Sequence, residues 1–258
     1  MSTILFNHIV FGPIKSRRLG NSLGMNLLPK FGKWCSFDCI YCECGWNKDG
    51  REDTKLPSKD DVFEALETKL KADVAEGTPI DTITFSGNGE PTLHPDFAEI
   101  IDFTLSMRDK YYPQAKVSVL TNASQLGKES VRNALMKVNN PILKIDSPIQ
   151  EMVELIDRPN AAYSLEKTIE NIKLFGNNFI LQTMFLKGEV EGKTIDCREE
   201  RHCNAWRDLV RDLKPREVMM YTIDRATPAQ NLQKVTVEEM TAIAQPLLDE
   251  GFMIQIKG

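Results

Sequence analysis

Short runs of β-branched and apolar residues alternate along the chain with longer stretches whose apolar positions recur every three or four residues. Residues 22–28 (SLGMNLL) read as a strand that leads into a cysteine-rich loop. Ser58, with Asp61 three residues on, marks a helix start, and Val62, Phe63, Leu66 and Leu70 follow at helical spacing to about residue 75. The strand Asp81–Ser86 ends in GNGEPTLHP, and a helix from about Pro95 to Asp109 carries Phe97, Ile100, Ile101 and Leu105 on one face. Lys116–Leu120 runs into TNAS and a helix near 128–138. Ile142–Ile145 runs into DSP and helical segments at about 149–156 and 164–175. Phe179–Phe185 is followed by a polar excursion and a helix at about 203–213. Glu217–Thr222, a loop with Pro228, a helix near 236–250 and the strand Phe252–Lys257 close the chain. Six βα units plus a terminal strand predict an α/β fold, a partial (β/α)6 TIM-like barrel, since a closed barrel needs about eight units.

No low-complexity tract, repeat or Pro/Ser-rich linker divides the chain, so a single domain over 1–258 is expected. Within it, 1–28 form an N-terminal segment and first strand, 35–42 the cysteine loop, and 215–258 a C-terminal strand–helix–strand. With 41% hydrophobic and 27% charged residues in 258, disorder, collagen and coiled coil are excluded. The net charge of −5 advertises no polyanion partner, leaving nucleic acid possible but not indicated by charge. No apolar stretch approaches a membrane span, and no cationic segment followed by an apolar one opens the chain; a cytoplasmic protein with reduced thiols is expected.

The six cysteines are Cys35, Cys39, Cys42, Cys44, Cys197 and Cys203. Random placement would produce a C-x3-C-x2-C triple with a probability of roughly 0.003, so the spacing is a signal. The unusual loops CSFDCIYC, SGNGEP, TNAS, IDSP and YTIDR follow successive strands, which brings them to one rim of an α/β barrel. Three thiolates at 35, 39 and 42 can bind three corners of an iron–sulfur cubane, leaving one iron open to chelate a small molecule. Cys44 is a rival fourth ligand, disfavoured by the strain of a C-x-C step. A zinc site completed by a distant His or Cys, and a redox pair at Cys39 and Cys42, are the alternatives.

CSFDCIYC resembles the C-x3-C-x2-C signature of the radical S-adenosylmethionine (SAM) superfamily, including the aromatic Tyr41 before the third cysteine. FGPIKSRRLGNSLGMNLLP and SGNGEPTLHPDF resemble segments of wybutosine-synthase-like Fe–S oxidoreductases. The resemblance implies that Cys35, Cys39 and Cys42 hold a [4Fe–4S] cluster whose open iron binds the amine and carboxylate of SAM, with Tyr41 beside the adenine. It also implies that Gly87, Asn88, Gly89 and Glu90 correspond to a Gly-Gly-Glu segment that pairs with the SAM amino group, interrupted here by Asn88. Glycines admit close backbone approach, and a carboxylate complements an ammonium.

Thr121, Asn122 and Asp146 at strand ends are candidates for the ribose or carboxylate, and Gln182 and Tyr221 for the cavity wall. Each also suits a turn or a satisfied core position. Lys15, Arg17 and Arg18 either grip an anionic substrate or form a solvated face. Lys144 shares a strand face with Asp146, which favours an ion pair over a Schiff base. Cys44, Cys197 and Cys203 could form a second cluster, against free thiols near His202; His94 reads as a helix-entry residue.

The expected function is an Fe–S oxidoreductase or lyase-type enzyme. It would cleave SAM reductively to a 5′-deoxyadenosyl radical, with flavodoxin or ferredoxin as electron donor and a nucleoside or tRNA base as one substrate. A glycyl-radical-enzyme activase is an alternative within the class, and a non-catalytic Fe–S or zinc-binding protein lies outside it.

Overall fold

The computed structural model describes residues 4–16, 18–50 and 53–258. A hairpin of β1 (Val10–Ser16) and β2 (Gly20–Met25) precedes the cysteine loop, and α1 (Lys59–Glu76) follows it. The next units are β3 (Thr82–Phe85) with α2 (Phe97–Tyr111), β4 (Lys116–Thr121) with α3 (Glu129–Lys137), and β5 (Asn140–Lys144) with α4 (Gln150–Ile156) and α5 (Leu165–Lys173). Then come β6 (Ile180–Met184), the short strands β7 (Leu186–Val190) and β8 (Lys193–Asp196), and α6 (Glu200–Leu213). The chain ends with β9 (Glu217–Tyr221), β10 (Leu232–Lys234), α7 (Val237–Asp249) and β11 (Ile254–Lys257).

The main sheet runs β1-β2-β3-β4-β5-β6-β9-β11, parallel from β2 onward with β1 antiparallel at one edge. The six βα units and the closing strand expected from the sequence are present. The edge strands β1 and β11 do not pair among the described residues, so the barrel stays open. The sheet is nonetheless curled. Five strand spacings separate β2 from β9, about 24 Å if flat, yet the Arg18 guanidinium, just ahead of β2, lies 4.8 Å from the centre of the Tyr221 ring in β9. Leu19 likewise packs on Ile142, Ile180 and Met219 across the concave face.

Local signals account for the helix ends. Ser58 accepts from the Asp61 amide while the Asp61 carboxylate accepts from the Ser58 amide, and Gly77 ends α1 at φ 67°. Val62, Leu66 and Leu70 face the sheet, and Phe63 stacks on Phe103 of α2 at 3.9 Å. Two features escape the period count. β1 is interrupted by Gly12-Pro13, where its register with β2 shifts, and its Phe11 ring fills the space that a side chain at Gly24 would need, 2.1 Å from an added Cβ. The polar excursion forms β7 and β8, which β10 joins in a three-stranded sheet, β10-β7-β8, where only Leu186, Val190 and Ile195 are buried. That is too few apolar positions to reveal a period of two.

Arg198 fastens this small sheet to α7, donating to Asp196 at 2.7 Å and to Glu239 at 2.6 Å. The Thr236 amide and then Arg198 hold the Glu239 carboxyl below its usual range, and Arg198 does the same to Asp196. A depressed carboxyl contributes stability above its unfolded pKa and loses it as pH falls through the folded value. Arg198→Ala is therefore expected to lower the melting temperature by roughly 1–3 °C near neutral pH. The difference should be smaller near pH 3, below the unfolded carboxyl range, and vanish only as pH passes the lowered folded values. Thermal melts at both pH values check this, and a gap that does not change with pH would contradict it.

Candidate functional site

The cysteine loop is held on two sides by main chain. On one side, the Trp34 amide donates to Asn88 O at 2.8 Å and Trp34 O accepts from the Glu90 amide at 3.1 Å, a parallel bridge to Gly89. A Cβ on Gly89, at φ 137°, would lie 2.0 Å from Trp34 O. The glycine thus serves the approach of the cysteine loop itself. On the other side, amides of Asp38 and Ile40 donate to the carbonyls of Asp157 and Ile156 at 3.0 and 2.9 Å, and Asn160 donates to Ser36 O at 2.9 Å. The β9–β10 loop adds a bond from the Ala229 amide to Ile40 O at 3.1 Å.

So held, Cys35, Cys39, Cys42 and Cys44 face a cavity of about 200 Å³ at the C-terminal ends of the strands, together with Tyr41, Gly87, Gly89, Glu90, Thr121, Asn122, Gln182 and Tyr221. Strand alternation explains the convergence. Ile142, Ile180 and Met219 form the floor of the concave face, and two residues further along the same strands Lys144, Gln182 and Tyr221 form a wall of the cavity.

Glu90 is 2% exposed and is the most thoroughly held carboxylate of the site. Its Oε1 accepts from Thr92 N at 3.1 Å, Thr92 Oγ1 at 2.5 Å and Thr121 Oγ1 at 2.7 Å, while Oε2 accepts from Asn122 N at 2.7 Å. Burial pushes its pKa up, and these donors oppose the rise. Asn122 also donates through Nδ2 to Ser36 Oγ at 3.0 Å, which ties β4 to the cysteine loop.

Two of the residues expected to contact SAM are absent from the lining of this cavity. Asn88 does not line the cavity: its side-chain amide donates to Phe6 O at 2.8 Å and Pro29 O at 2.7 Å and accepts from Phe6 N at 2.8 Å. Its side chain is spent on backbone of the N-terminal segment. Asp146 is fully buried beneath the cavity rather than in it. It accepts from the Tyr41 hydroxyl, from Met184 N at 3.0 Å and from Lys144 Nζ at 2.9 Å, so it orients Tyr41.

The sequence reading missed two charged groups. Asp157, at the end of α4, accepts from Lys144 Nζ at 2.6 Å and from the Cys39 thiol at 3.3 Å, and its pKa is pushed up by burial and by Asp146. Lys33 lines the cavity and donates to Gly45 O at 3.1 Å and Asp38 Oδ1 at 3.3 Å. Its position two residues before the first cysteine was the available signal.

Burial pushes the Cys35 thiol up to about 12 and the Cys39 thiol above its usual range. A hydrogen bond from Cys44, helped by the Lys33 ammonium, draws Cys42 below it. Among the described residues no three His, Cys, Asp or Glu side chains converge closely enough for a single metal ion. Thiols distributed around a cavity suit a polynuclear cluster instead. Cys35, Cys39 and Cys42 are the residues that would hold a [4Fe–4S] cluster, with Cys44 on the same wall donating to Gly87 O at 3.4 Å. Cys197 and Cys203 lie in the apolar core, the Cys203 thiol 3.4 Å from Cys197 O, and do not join Cys44.

Of the basic segment, Lys15 is exposed on β1, Arg18 covers the Tyr221 ring, and Arg17 lies outside the described residues. His94 accepts the Asp96 amide at 3.2 Å and donates to Pro57 O at 2.9 Å, as a helix-entry residue does. Among the described residues no helix is long and apolar enough to cross a membrane.

The sequence profile of the Radical SAM superfamily matches residues 30–199. The UPF0026 protein of Methanocaldococcus jannaschii is 30% identical over 91% of this chain and 70% of its own length. A protein of Brachyspira hyodysenteriae named GTPase Obg is 32% identical over 90% of this chain, which spans only 32% of that longer protein. Among solved structures, a radical SAM methyltransferase from Sphaerobacter thermophilus superposes with a TM-score of 0.66 at 13% identity, covering 92% of this chain and 66% of that one. SuiB of Streptococcus suis bound to SAM superposes at 0.63 with 15% identity, covering 88% and 49%. TYW1 with a lysine–pyruvate adduct superposes at 0.61 with 14% identity, covering 89% and 73%. The chain belongs to the radical SAM superfamily and groups with the UPF0026 proteins. The superfamily uses a [4Fe–4S] cluster and SAM, and the cysteine set and its cavity fit them.

If the Trp34–Gly89 pairing positions the loop, Gly89→Ala should destabilise the protein by about 1–3 kcal/mol or more and abolish iron binding. Gly77→Ala, also at positive φ but with nothing within 4 Å of its Cβ, should cost stability without losing iron. Iron analysis and thermal melts distinguish the two, and a fully loaded Gly89→Ala protein would refute the assignment.

Proposed function

We propose that residues 1–258 form the core of a radical SAM Fe–S oxidoreductase or lyase-type enzyme whose substrate is anionic, a nucleoside or base within tRNA. The observation that carries the enzymatic reading is the convergence of Cys35, Cys39 and Cys42 with Glu90, Gln182 and Tyr221 on one cavity at the barrel rim. Cys35, Cys39 and Cys42 would hold the cluster and Glu90 the SAM ammonium; with a flavodoxin or ferredoxin as electron donor, the bound group would supply one-electron reductive cleavage of SAM and hydrogen abstraction from substrate.

The chain's own groups divide the remaining work. Among the described residues Glu90 Oε2 takes a single protein donor, the Asn122 amide, and keeps capacity for the SAM ammonium. Tyr41 is fixed from below by Asp146 and offers its ring to the adenine. Gln182 and Thr121 offer polar contacts for the ribose or carboxylate, while Phe37 and Leu120 supply apolar wall that keeps water from the reacting atoms. Arg18, stacked over Tyr221, brings a permanent cation to that wall, which supports an anionic substrate.

Anaerobic reconstitution should load about four irons per chain, as one cubane requires. Cys35→Ala, Cys39→Ala or Cys42→Ala should abolish the cluster's absorbance, and Cys44→Ala should leave it. In the loaded protein Glu90→Ala should raise the SAM dissociation constant roughly tenfold to hundredfold, about 1.5–3 kcal/mol. Unchanged affinity would reduce this loop to a structural turn.

The substrate reading is tested with unfractionated tRNA as probe. Dithionite-reduced protein should release 5′-deoxyadenosine slowly alone and faster with tRNA. Arg18→Ala should keep iron content and the slow release but lose the stimulation. Lowered iron and melting temperature with unaltered release per cluster would make Arg18 a brace, and absence of stimulation in the unsubstituted protein would exclude tRNA.

A further inference from the structure

Two lysines reach the cavity, and their surroundings differ. Lys144 is matched by two carboxylates, Asp146 at 2.9 Å and Asp157 at 2.6 Å, both nearly inaccessible. Lys33 has a side chain only 1% exposed but, among the described residues, a single carboxylate at 3.3 Å, Asp38, whose side chain is 32% exposed and also accepts the Asn47 amide at 2.7 Å. Its second hydrogen bond goes to a neutral carbonyl, Gly45 O. Burying an ammonium is costly unless negative charge faces it. The groups that face Lys33 across the cavity are the thiols of Cys42, Cys35 and Cys39, and a thiol that ligates metal does so as thiolate. Cys42 already leans toward thiolate beside Lys33, and loading the site makes thiolates of Cys35 and Cys39 as well, which adds negative charge opposite the buried ammonium.

We propose that Lys33 is a fixed positive charge that sets the reduction potential of the cluster held by Cys35, Cys39 and Cys42, favouring its reduced form. This rests on the ligand assignment above. The potential of such a cluster follows its net charge, the hydrogen bonds to its sulfurs and its exposure. An added electron is stabilised by a cation beside it, more strongly where water is excluded. Asp38 opposes Lys33, so the two side chains should move the potential in opposite directions.

The test is an EPR-monitored redox titration of the anaerobically reconstituted chain, with iron content and melting temperature measured on the same preparations. Lys33→Gln should shift the midpoint negative by a tenfold change in the one-electron equilibrium, about 59 mV. Lys33→Arg should hold the unsubstituted value, and Asp38→Asn should shift it positive. A fully loaded Lys33→Gln protein with an unmoved midpoint overturns the proposal. If Lys33→Gln does not load, Lys33→Met, which keeps the length and apolar packing of the stem, takes its place: a negative shift supports the field of Lys33, and an unmoved or positive midpoint overturns it. An unsubstituted chain that fails to bind about four irons would instead overturn the ligand assignment, which keeps the two failures distinct.

Discussion

The two hydrogen bonds through the main chain of Trp34 join the cysteine loop to the loop that ends β3, and the rest of the site is referred to that junction. A loop carrying four cysteines has no secondary structure to fix the directions of its side chains. It acquires them by behaving as one residue of parallel strand beside Gly89. The next residue on one side is Cys35 and on the other Glu90, so the junction fixes the distance between the Cys35 sulfur and the Glu90 carboxylate. Only glycine tolerates the 2.0 Å approach between the Cβ position and Trp34 O. Glu90 then spreads the constraint, because its four donors come from Thr92, Thr121 and Asn122, and Asn122 returns to Ser36. The ring of contacts closes on the cysteine loop from which it started.

Beneath the cavity the same problem is solved with charge. Asp146, Asp157 and Lys144 form a buried triad with one carboxylate in excess, connecting β5 to the end of α4 and, through Tyr41 and Cys39, to the cysteine loop. Replacing one member of such a group strands the others in a low-dielectric interior. The triad is therefore better understood as orientation for Tyr41 and the loop than as a gain in stability. Its two carboxylates already engage Lys144, so it cannot serve as the cation of the site, a role left to Lys33.

The fold was legible because parallel βα units write two periods into the chain, and all six units lie close to their predicted limits. The three-stranded sheet was not, because with Leu186, Val190 and Ile195 as its main inward residues it leaves no apolar alternation. The site was legible wherever a residue type and its position at a strand end coincide, as for Cys35, Glu90, Thr121 and Tyr221, all of which reach the cavity. Asn88 and Asp146 satisfied the same criterion and yet turn away from it. Position on a strand end fixes where a backbone goes, whereas which neighbour claims a short polar side chain depends on residues as distant as Phe6 and Met184. Asp157 was invisible for the converse reason, since it ends a helix and meets Cys39 only through packing.

A barrel with six units instead of eight leaves a lateral gap, and the turn between β1 and β2 fills part of it. Leu19 completes the apolar floor of Ile142, Ile180 and Met219, and Arg18 one residue earlier covers Tyr221, a residue of the cavity wall. Adjacent residues on one strand point to opposite sides, but a turn can send both inward. The opposite half of the concave face is polar, with Ser22 bonded to Thr84 at 2.7 Å, Thr82 to Ser118 at 2.9 Å and Asn140 to Ser118 at 2.9 Å. These side chains satisfy one another, so that half can be buried without a ligand. The interior is thereby finished at its base and shaped only at its rim. Chemistry is confined to the end where the cysteines lie, and the turn that seals the base also carries a cation to the wall of the cavity.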